Sequence, residues 1–479
     1  MKGKFDMFVA REDERRQLLD AYESDRSQFV AIYGRRRVGK TFLVRETFDY
    51  AFTFQHAGLA KGTLSNQLFG FCASLKDAGL VGFEPPSNWL EAFELLKDLI
   101  RSSSDKRKLI FIDELSWMDT PRCDLMVALE SFWNGWASAR RDIVLIVCAS
   151  ATSWMLDKVI HNKGGLYNRL TVQISLKPFT LHECDELARS LGIALNHHQL
   201  IECYMALGGV PYYWTHLRKG LSLPQNIDAM FFAHEAPLRE EFDYLFSSLF
   251  RYPADYLAIV EALATRKAGM TREEIIATTG LADSGSLTKR LANLESCGFI
   301  RKYLPFGRSA KGALYQLTDH FTLFALRFLR GRVTDESYWS NTTNTPARNA
   351  WCGIAFERVC LAHVPQIKAA LGVSGVASNV SSWTCRADPD KGIFGSQIDL
   401  LIDRRDQVIN LCEMKYSIGE YAITKRVDEG IRHKVGDLQL VTKTKSSIHV
   451  TLVTPYGLKE NSYSGSIQAV ITGDDLFRE

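Results

Sequence analysis

The chain has 479 residues, 46% of them apolar and 24% charged, which is ordinary globular composition and room for about three domains. A net charge of +3 is too small to imply a polyanionic partner by itself. The ten cysteines are scattered without a Cys-x-x-Cys, which argues against a disulfide scaffold or zinc ribbon and for reduced thiols in a cytoplasmic protein. The opening Met1-Lys2-Gly3-Lys4 lacks an apolar signal core, and no stretch reaches membrane-spanning length.

In chain order, the first strong signal is Gln28–Tyr33, an apolar run of strand length. It leads into Gly34-Arg35-Arg36-Arg37-Val38-Gly39-Lys40-Thr41, a complete P-loop, and Phe42–Glu46 continues as a helix. Glycines let backbone N–H groups close around phosphate oxygens, and the following helix points its positive end at them. Lys40 would reach the β- and γ-phosphates of ATP, and the Thr41 hydroxyl would ligate Mg²⁺.

About 70 residues later the apolar strand Leu109–Ile112 ends in Asp113 and Glu114. Asp113 would hold Mg²⁺ through water, and Glu114 would orient the water that attacks the γ-phosphate. A third strand, Ile143–Cys148, runs into Ala149-Ser150-Ala151-Thr152, where Ser150 reads as a helix cap. Next come Gly165–Thr171, with Arg169, and a further strand, Val172–Leu176. Strands alternating with helical stretches predict a parallel sheet wrapped by helices. From about Pro178 the pattern turns helical and contains the unusual turn Leu207-Gly208-Gly209-Val210-Pro211-Tyr212-Tyr213-Trp214.

The opening Phe8-Val9-Ala10-Arg11-Glu12, the P-loop, the strand ending Asp113-Glu114 and Gly208–Tyr213 together resemble the archaeal-type ATPases, AAA+/STAND-related P-loop proteins of archaea and many bacteria. The resemblance covers most of the chain and implies an AAA+-type ATPase domain with helical lid over residues 1–245. It makes Ser150 a second candidate role, sensor of the γ-phosphate, beside that of cap. It places Arg169 where such ATPases carry an arginine finger, which would complete a neighbour's site in a homo-oligomer; a surface arginine is the other reading. The segment from Phe8 would pack near the adenine.

Residues 246–332 read as three short helices and a hairpin. Tyr256–Ala264 is amphipathic, Thr271 and Glu274 form a capping box, and Ser284–Ser296 puts Leu287, Leu291 and Leu294 on one face. Strand-like Gly298–Leu304 and Ala313–Leu317 flank the turn at Gly307. This is the pattern of a winged helix. Residues 251–330 carry twelve Lys and Arg against seven Asp and Glu. Lys289 and Arg290 on the third helix, with Arg308 and Lys311 on the wing, form the layout of a duplex-DNA reader. A rigid spacer or protein contact is the competing use of such a module.

A polar stretch, Ser340–Pro346, reads as a linker to a third domain over 340–479. There a helix around Trp351–Cys360 places Glu357 among apolar residues. Two strands come after it, Gln397–Ile402 and Val408–Lys415, around the turn Arg404-Arg405-Asp406-Gln407. In an antiparallel pair opposed residues are equidistant from the turn centre. Asp399 and Glu413 are equidistant from Asp406, so they face each other, and Lys415 lies on the same face as Glu413. This is the constellation of the PD-(D/E)xK nuclease fold, which the resembled family's C-terminal domain shares. Glu357, Asp399 and Glu413 would hold Mg²⁺ or Mn²⁺, and Lys415 would support developing charge on the phosphate. A structural salt-bridge cluster is the alternative.

The expected architecture is thus α/β: a P-loop AAA+-type sheet with helical lid, a winged helix and an α/β nuclease-like domain. The leading function is ATP hydrolysis coupled to DNA binding and metal-dependent cleavage. A STAND-like switch, with the later modules as inactive binding surfaces, is the alternative class. A transcriptional regulator leaves Glu357, Asp399, Glu413 and Lys415 without a use.

Overall fold

The computed structural model describes residues 8–161, 164–250, 252–307, 312–331 and 335–479. The chain divides into two compact units, one through Pro178 and one from Phe179.

The first unit contains α1 (Glu12–Glu23), β1 (Gln28–Tyr33), α2 (Lys40–Thr47), β2 (Phe54–Ala57), α3 (Leu64–Asp77), α4 (Trp89–Ser102), β3 (Lys108–Asp113), α5 (Leu125–Gly135), β4 (Ile143–Ala149) and β5 (Val172–Ser175). The strands form one parallel sheet in the order β2-β3-β4-β1-β5. Alternate residues of each strand feed separate cores. Phe29, Ala31, Ile110, Ile112, Leu145 and Val147 pack on one face, and Val30, Ile32, Leu109, Phe111, Val144 and Ile146 on the other. Burial on both faces is why these strands read as unbroken apolar runs. The cores are capped by α3, α4 and α5 on one side and by α1 and α2 on the other.

The second unit begins with helices α6 (Leu181–Ser190), α7 (His197–Leu207), α8 (Leu223–Phe231) and α9 (Glu241–Leu249). The contacts do not break near residue 245; these lid-like helices pack with the C-terminal half of the chain. The turn between α7 and α8 shows how. The carbonyl of Gly209 accepts from the Phe179 N–H at 2.6 Å, and a Cβ at Gly209 would lie 1.8 Å from the Phe179 oxygen. Trp214 donates its indole N–H to the Gly208 carbonyl at 2.8 Å, and Tyr213 packs against Phe321 with the rings tilted. The unusual motif is a close backbone crossing that only glycine permits.

Next come α10 (Pro253–Ala264), α11 (Arg272–Thr279), α12 (Gly285–Ser296) and the antiparallel pair β6 (Ile300–Tyr303) and β7 (Leu314–Leu317). The capping box of Thr271 and Glu274 is formed, and Leu287, Leu291 and Leu294 are buried. Arg308 and Lys311 lie outside the described residues.

After α13 (His320–Phe328), the polar stretch is not a loose linker. Asp228 accepts from the Trp339 and Ser340 N–H groups at 2.7 and 3.1 Å, and Thr345 caps α14 (Pro346–Ala362). The chain continues through α15 (Val364–Ala370), β8 (Ser378–Thr384), β9 (Gln397–Arg404), β10 (Val408–Met414), α16 (Lys425–Thr442), β11 (Ser447–Val453) and β12 (Ala469–Ile471). The sheet order is β12-β11-β10-β9-β8, with β8, β9 and β10 antiparallel and β10, β11 and β12 parallel. Its core includes Trp383, Ile398, Leu401, Leu411 and Leu438.

All ten cysteines are free and nine are buried. Among the described residues no helix is long and apolar enough to cross a membrane.

His363, 1% exposed, joins α14 to α6. Its Nδ1–H donates to the Val359 carbonyl at 2.8 Å, and its bare Nε2 accepts from the Leu181 N–H at 2.9 Å. The second contact requires the neutral ring, because a protonated Nε2 cannot accept. Burial lowers its pKa from 6.5 to about 4 against the opposing pull of Val359. The unfolded chain therefore binds this proton first, so the stability is complete above pH 6.5 and is lost as pH falls toward 4. The loss amounts to about 3 kcal/mol. Denaturant titrations at pH 7.5 and 4.5 should show a smaller acid-side loss in His363→Gln, whose amide oxygen can still accept from Leu181.

Candidate functional site

The loop after β1 is shaped by backbone that most residues avoid. Gly34 has φ +150°, and a Cβ there would meet the Leu176 carbonyl oxygen at 2.2 Å. Arg37 and Gly39 also have positive φ, 70° and 93°. Val38 is buried in the core shared with Leu18 and Leu43 and anchors the loop. Arg35 is buried as well, whereas Arg36 and Arg37 are half-buried.

Lys40 opens α2. Its ammonium donates to the carbonyls of Gly34 at 2.9 Å and Arg35 at 3.1 Å and to Ser150 Oγ at 3.1 Å. Thr41 Oγ1 donates to Asp113 Oδ2 at 2.6 Å. Glu114 comes next after β3 with φ 47° and ψ 43°, left-handed backbone that costs a non-glycine residue about 1–3 kcal/mol. Its carboxylate accepts from the Ser150 N–H at 3.1 Å and from the Ser150 hydroxyl.

Strand order explains this meeting. β4 lies between β1 and β3, so the residue after β4 falls between the lysine after β1 and the acids after β3. That residue is Ser150. Its hydroxyl makes no cap bond, since the next helix is capped by Ala151 without a side-chain contact. The main chain at Gly34 packs too closely on the Leu176 carbonyl for a side chain, which fixes the path of the loop, and Thr41 with Asp113 forms a hard-oxygen donor pair. These residues fit a nucleotide with Mg²⁺.

Arg169 stands apart. It is exposed and precedes Thr171, whose N–H donates to Phe29 near the start of β1. The P-loop leaves the opposite end of that strand, about 15 Å away at strand rise. Arg169 therefore cannot serve the P-loop of its own chain. Phe8 stacks on Phe42 of α2 at 6.3 Å, with Arg15 over its ring, so the opening segment lies on the P-loop helix.

In the second unit, Leu400 pairs with Cys412 and Leu401 with Leu411, residues equidistant from Asp406. The paired register ends there, and Asp399 and Glu413 are the next residues along each strand. The acids, however, are joined by lysines. Lys267, in the turn after α10, pairs with Glu357 at 2.5 Å and Asp399 at 3.0 Å. Arg358 also contacts Glu357 at 3.2 Å. Glu413 is held by Lys415 and by Lys434 of α16, each at 2.7 Å. Burial raises the pKa of Glu357, Asp399 adds to this, and Arg358 and Lys267 oppose it. For Glu413 burial pushes upward too, but Lys434 and Lys415 outweigh it and the pKa is lowered. For Asp399 burial again pushes upward, and Lys267 outweighs it to leave the pKa lowered.

Among the described residues no group of three His, Cys, Asp or Glu converges as a metal set. Glu357, Asp399 and Glu413 in this arrangement do not fit the expected Mg²⁺ or Mn²⁺; ammonium groups hold their oxygens. Sequence reasoning missed Lys267 and Lys434. Each reads as a surface lysine, and only folding brings Lys267 to Glu357, 90 positions later.

No family model matches the chain. It is similar to an uncharacterized protein of Methanocaldococcus jannaschii, MJECL04, with 27% identity over 365 residues, 74% of this chain and 76% of that protein. Among solved structures, the Walker-type ATPase PABY2304 of Pyrococcus abyssi aligns with a TM-score of 0.47 and 17% identity, covering 67% of this chain and 96% of that one. The ORC2 protein of Aeropyrum pernix aligns with a TM-score of 0.42 and 13% identity, over 67% of this chain and 93% of that one.

Glu413 offers a direct check on the lysine pairing. Lys434→Met leaves it with Lys415 alone and should destabilise the protein by roughly 1–2 kcal/mol, partial exposure of Lys434 holding the figure down. Adding Glu413→Gln should recover most of that loss in chemical denaturation. A double variant as unstable as the sum of both single variants would contradict the pairing.

Proposed function

We propose that this chain is an AAA+-type ATPase whose second unit contacts DNA. The observation that carries the first half is Ser150 joined to both Lys40 and Glu114, beside Thr41 bonded to Asp113. Thr41 and Asp113 would hold Mg²⁺, which neutralises phosphate charge when bound. Lys40 can exchange the carbonyls of Gly34 and Arg35 for phosphate oxygens. Ser150 keeps the Glu114 carboxylate oriented, so that Glu114 can position and polarise the attacking water. Linked to Lys40 as well, Ser150 is suited to report the terminal phosphate. Arg169 acts only in trans in this reading, which requires a homo-oligomer.

The helices α10–α12 and the β6–β7 hairpin support a winged-helix reading. Lys289 on α12 is exposed, and Arg290 of the same helix pairs with Asp255 of α10. Both lie on the helix that this reading sets against DNA phosphates. For the C-terminal part, the order of α14, β8–β10, α16 and β11, with Asp399 on β9, Glu413 on β10 and Lys415 two residues on, supports the PD-(D/E)xK nuclease fold. Its acids are engaged by lysines, so cleavage requires a rearrangement. The same observation favours the second reading, a STAND-like switch with a non-cleaving C-terminal module.

Lys40→Ala should lose ATP binding, measured with a fluorescent analogue. Glu114→Gln should retain binding while hydrolysis falls by at least about a hundredfold; wild-type turnover in that variant would remove Glu114 from the role given to it.

Lys289→Ala should weaken duplex binding about equally for unrelated sequences and reduce the slope of log affinity against log salt by about one. An unchanged slope would place the DNA contact elsewhere.

A further inference from the structure

A cleft of about 430 Å³ lies beside the hairpin of the second unit. Its polar lining is Arg301 of β6, Lys368 of α15 and Ser374, and Leu361, Val364 and Pro365 form an apolar wall. Among the described residues no acid lines it. Arg301 is held from two sides. Its Nε–H donates to Gln316 Oε1 of β7 at 2.7 Å, and its guanidinium lies over the Tyr303 ring at 4.6 Å. Neither contact takes an Nη donor, and those donors form the fork that grips phosphate oxygens. Among the described residues neither Arg301 nor Lys368 makes an ion pair. Glu357 and Asp399 act on Arg301 only at longer range, and both are already held by Lys267. Burial pushes the pKa of Arg301 down to about 10, Arg358 adds to this, and Tyr303, Glu357 and Asp399 oppose it. Arg301 stays charged at neutral pH, and a cation that burial leaves without an ion-pair partner gains more from an incoming anion than one in open water.

We propose that this cleft binds a small phosphomonoester: the phosphate sits on Arg301 and Lys368, and the apolar or aromatic group it carries rests on Leu361, Val364 and Pro365. Two cations with no acid beside them match a phosphomonoester, which is mostly dianionic at neutral pH. A carboxylate or a DNA phosphodiester has one charge per group and meets only half of that demand. Arg301 can hold two phosphate oxygens in its fork, Lys368 a third, and the Ser374 hydroxyl can donate as well. A concave site with an apolar wall and a few polar groups is the form of a small-molecule site, whose usual volume of about 300–1,000 Å³ includes this one. Contact with a duplex backbone calls for neither the concavity nor the apolar wall. The P-loop belongs to the first unit, so this cleft is a second and separate phosphate site.

The test is calorimetric titration of the full chain with phenyl phosphate, with Mg²⁺ and ADP in excess to fill the P-loop. Phenyl phosphate should bind once per chain. Inorganic phosphate, which lacks the apolar group, and phenyl sulfate, which has a single charge, should each bind on the order of tenfold more weakly. Lys368→Gln and Arg301→Gln should each weaken phenyl phosphate by at least about tenfold, and Arg301→Lys, which keeps the charge without the fork, by less than Arg301→Gln. Lys368 is half-buried on a short helix, so Lys368→Gln decides the matter should Arg301→Gln fail to melt cooperatively. No binding of phenyl phosphate overturns the site, and so does binding that Lys368→Gln leaves unchanged. Inorganic phosphate bound as tightly as phenyl phosphate also overturns it, because the apolar wall then has no occupant. A DNA duplex that displaces phenyl phosphate and loses affinity in the same variants assigns the cleft to nucleic acid and overturns the small-ligand reading.

Discussion

A carboxylate with 2% of its surface exposed stays charged only beside a cation, and in this protein Glu357 meets that constraint across chain segments rather than within one. Lys267 comes from the turn after α10, Arg358 from the same helix as Glu357, and Asp399 from β9. Through Arg358 and Gln316 the same group of contacts ties down the end of β7 and the main chain at Lys267. Three sequence-distant elements meet at one set of charges. These contacts are one of the links by which the helical, hairpin and C-terminal parts belong to one compact unit.

The first unit obeys the same constraint with opposite sign. Lys40 is 5% exposed, and the partners of its ammonium include two carbonyls of the loop and Ser150. All three are neutral acceptors. Replacing them by charged phosphate oxygens strengthens every bond the ammonium makes. The P-loop is thus arranged to exchange weak partners for strong ones, and Ser150 links that exchange to Glu114. In the second unit the acids already hold charged partners, so another cation must displace one.

Much of the fold could be read from local pattern. The two-faced apolar runs, the capping box at Thr271 and Glu274, and the leucine face of α12 depend on residues close in sequence. The hairpin centred on Asp406 also forms, pairing Leu400 with Cys412 and Leu401 with Leu411, because a short polar turn leaves an antiparallel hairpin little choice of register. Less legible was the role of Gly208-Gly209. Its composition marks a turn, but the reason for glycine is the crossing with the Phe179 backbone, a segment far from it in sequence.

The sequence by itself determined that a P-loop stands between a strand and a helix, that two acids end a later strand, and that an Asp and a Glu-x-Lys share a hairpin face. Each comes from periodicities and spacings that act over a few residues. Only the tertiary structure decided what those groups touch. Inserting β4 between β1 and β3 gave Ser150 its two partners, and β5 carried Arg169 away from the P-loop of its own chain. Folding likewise brought Lys267 and Lys434 onto acids 90 and 21 positions away. A lysine in a turn or on a helix looks the same in sequence whether it faces water or a buried carboxylate. Its partner is fixed by the crossing of distant elements, which no local pattern records.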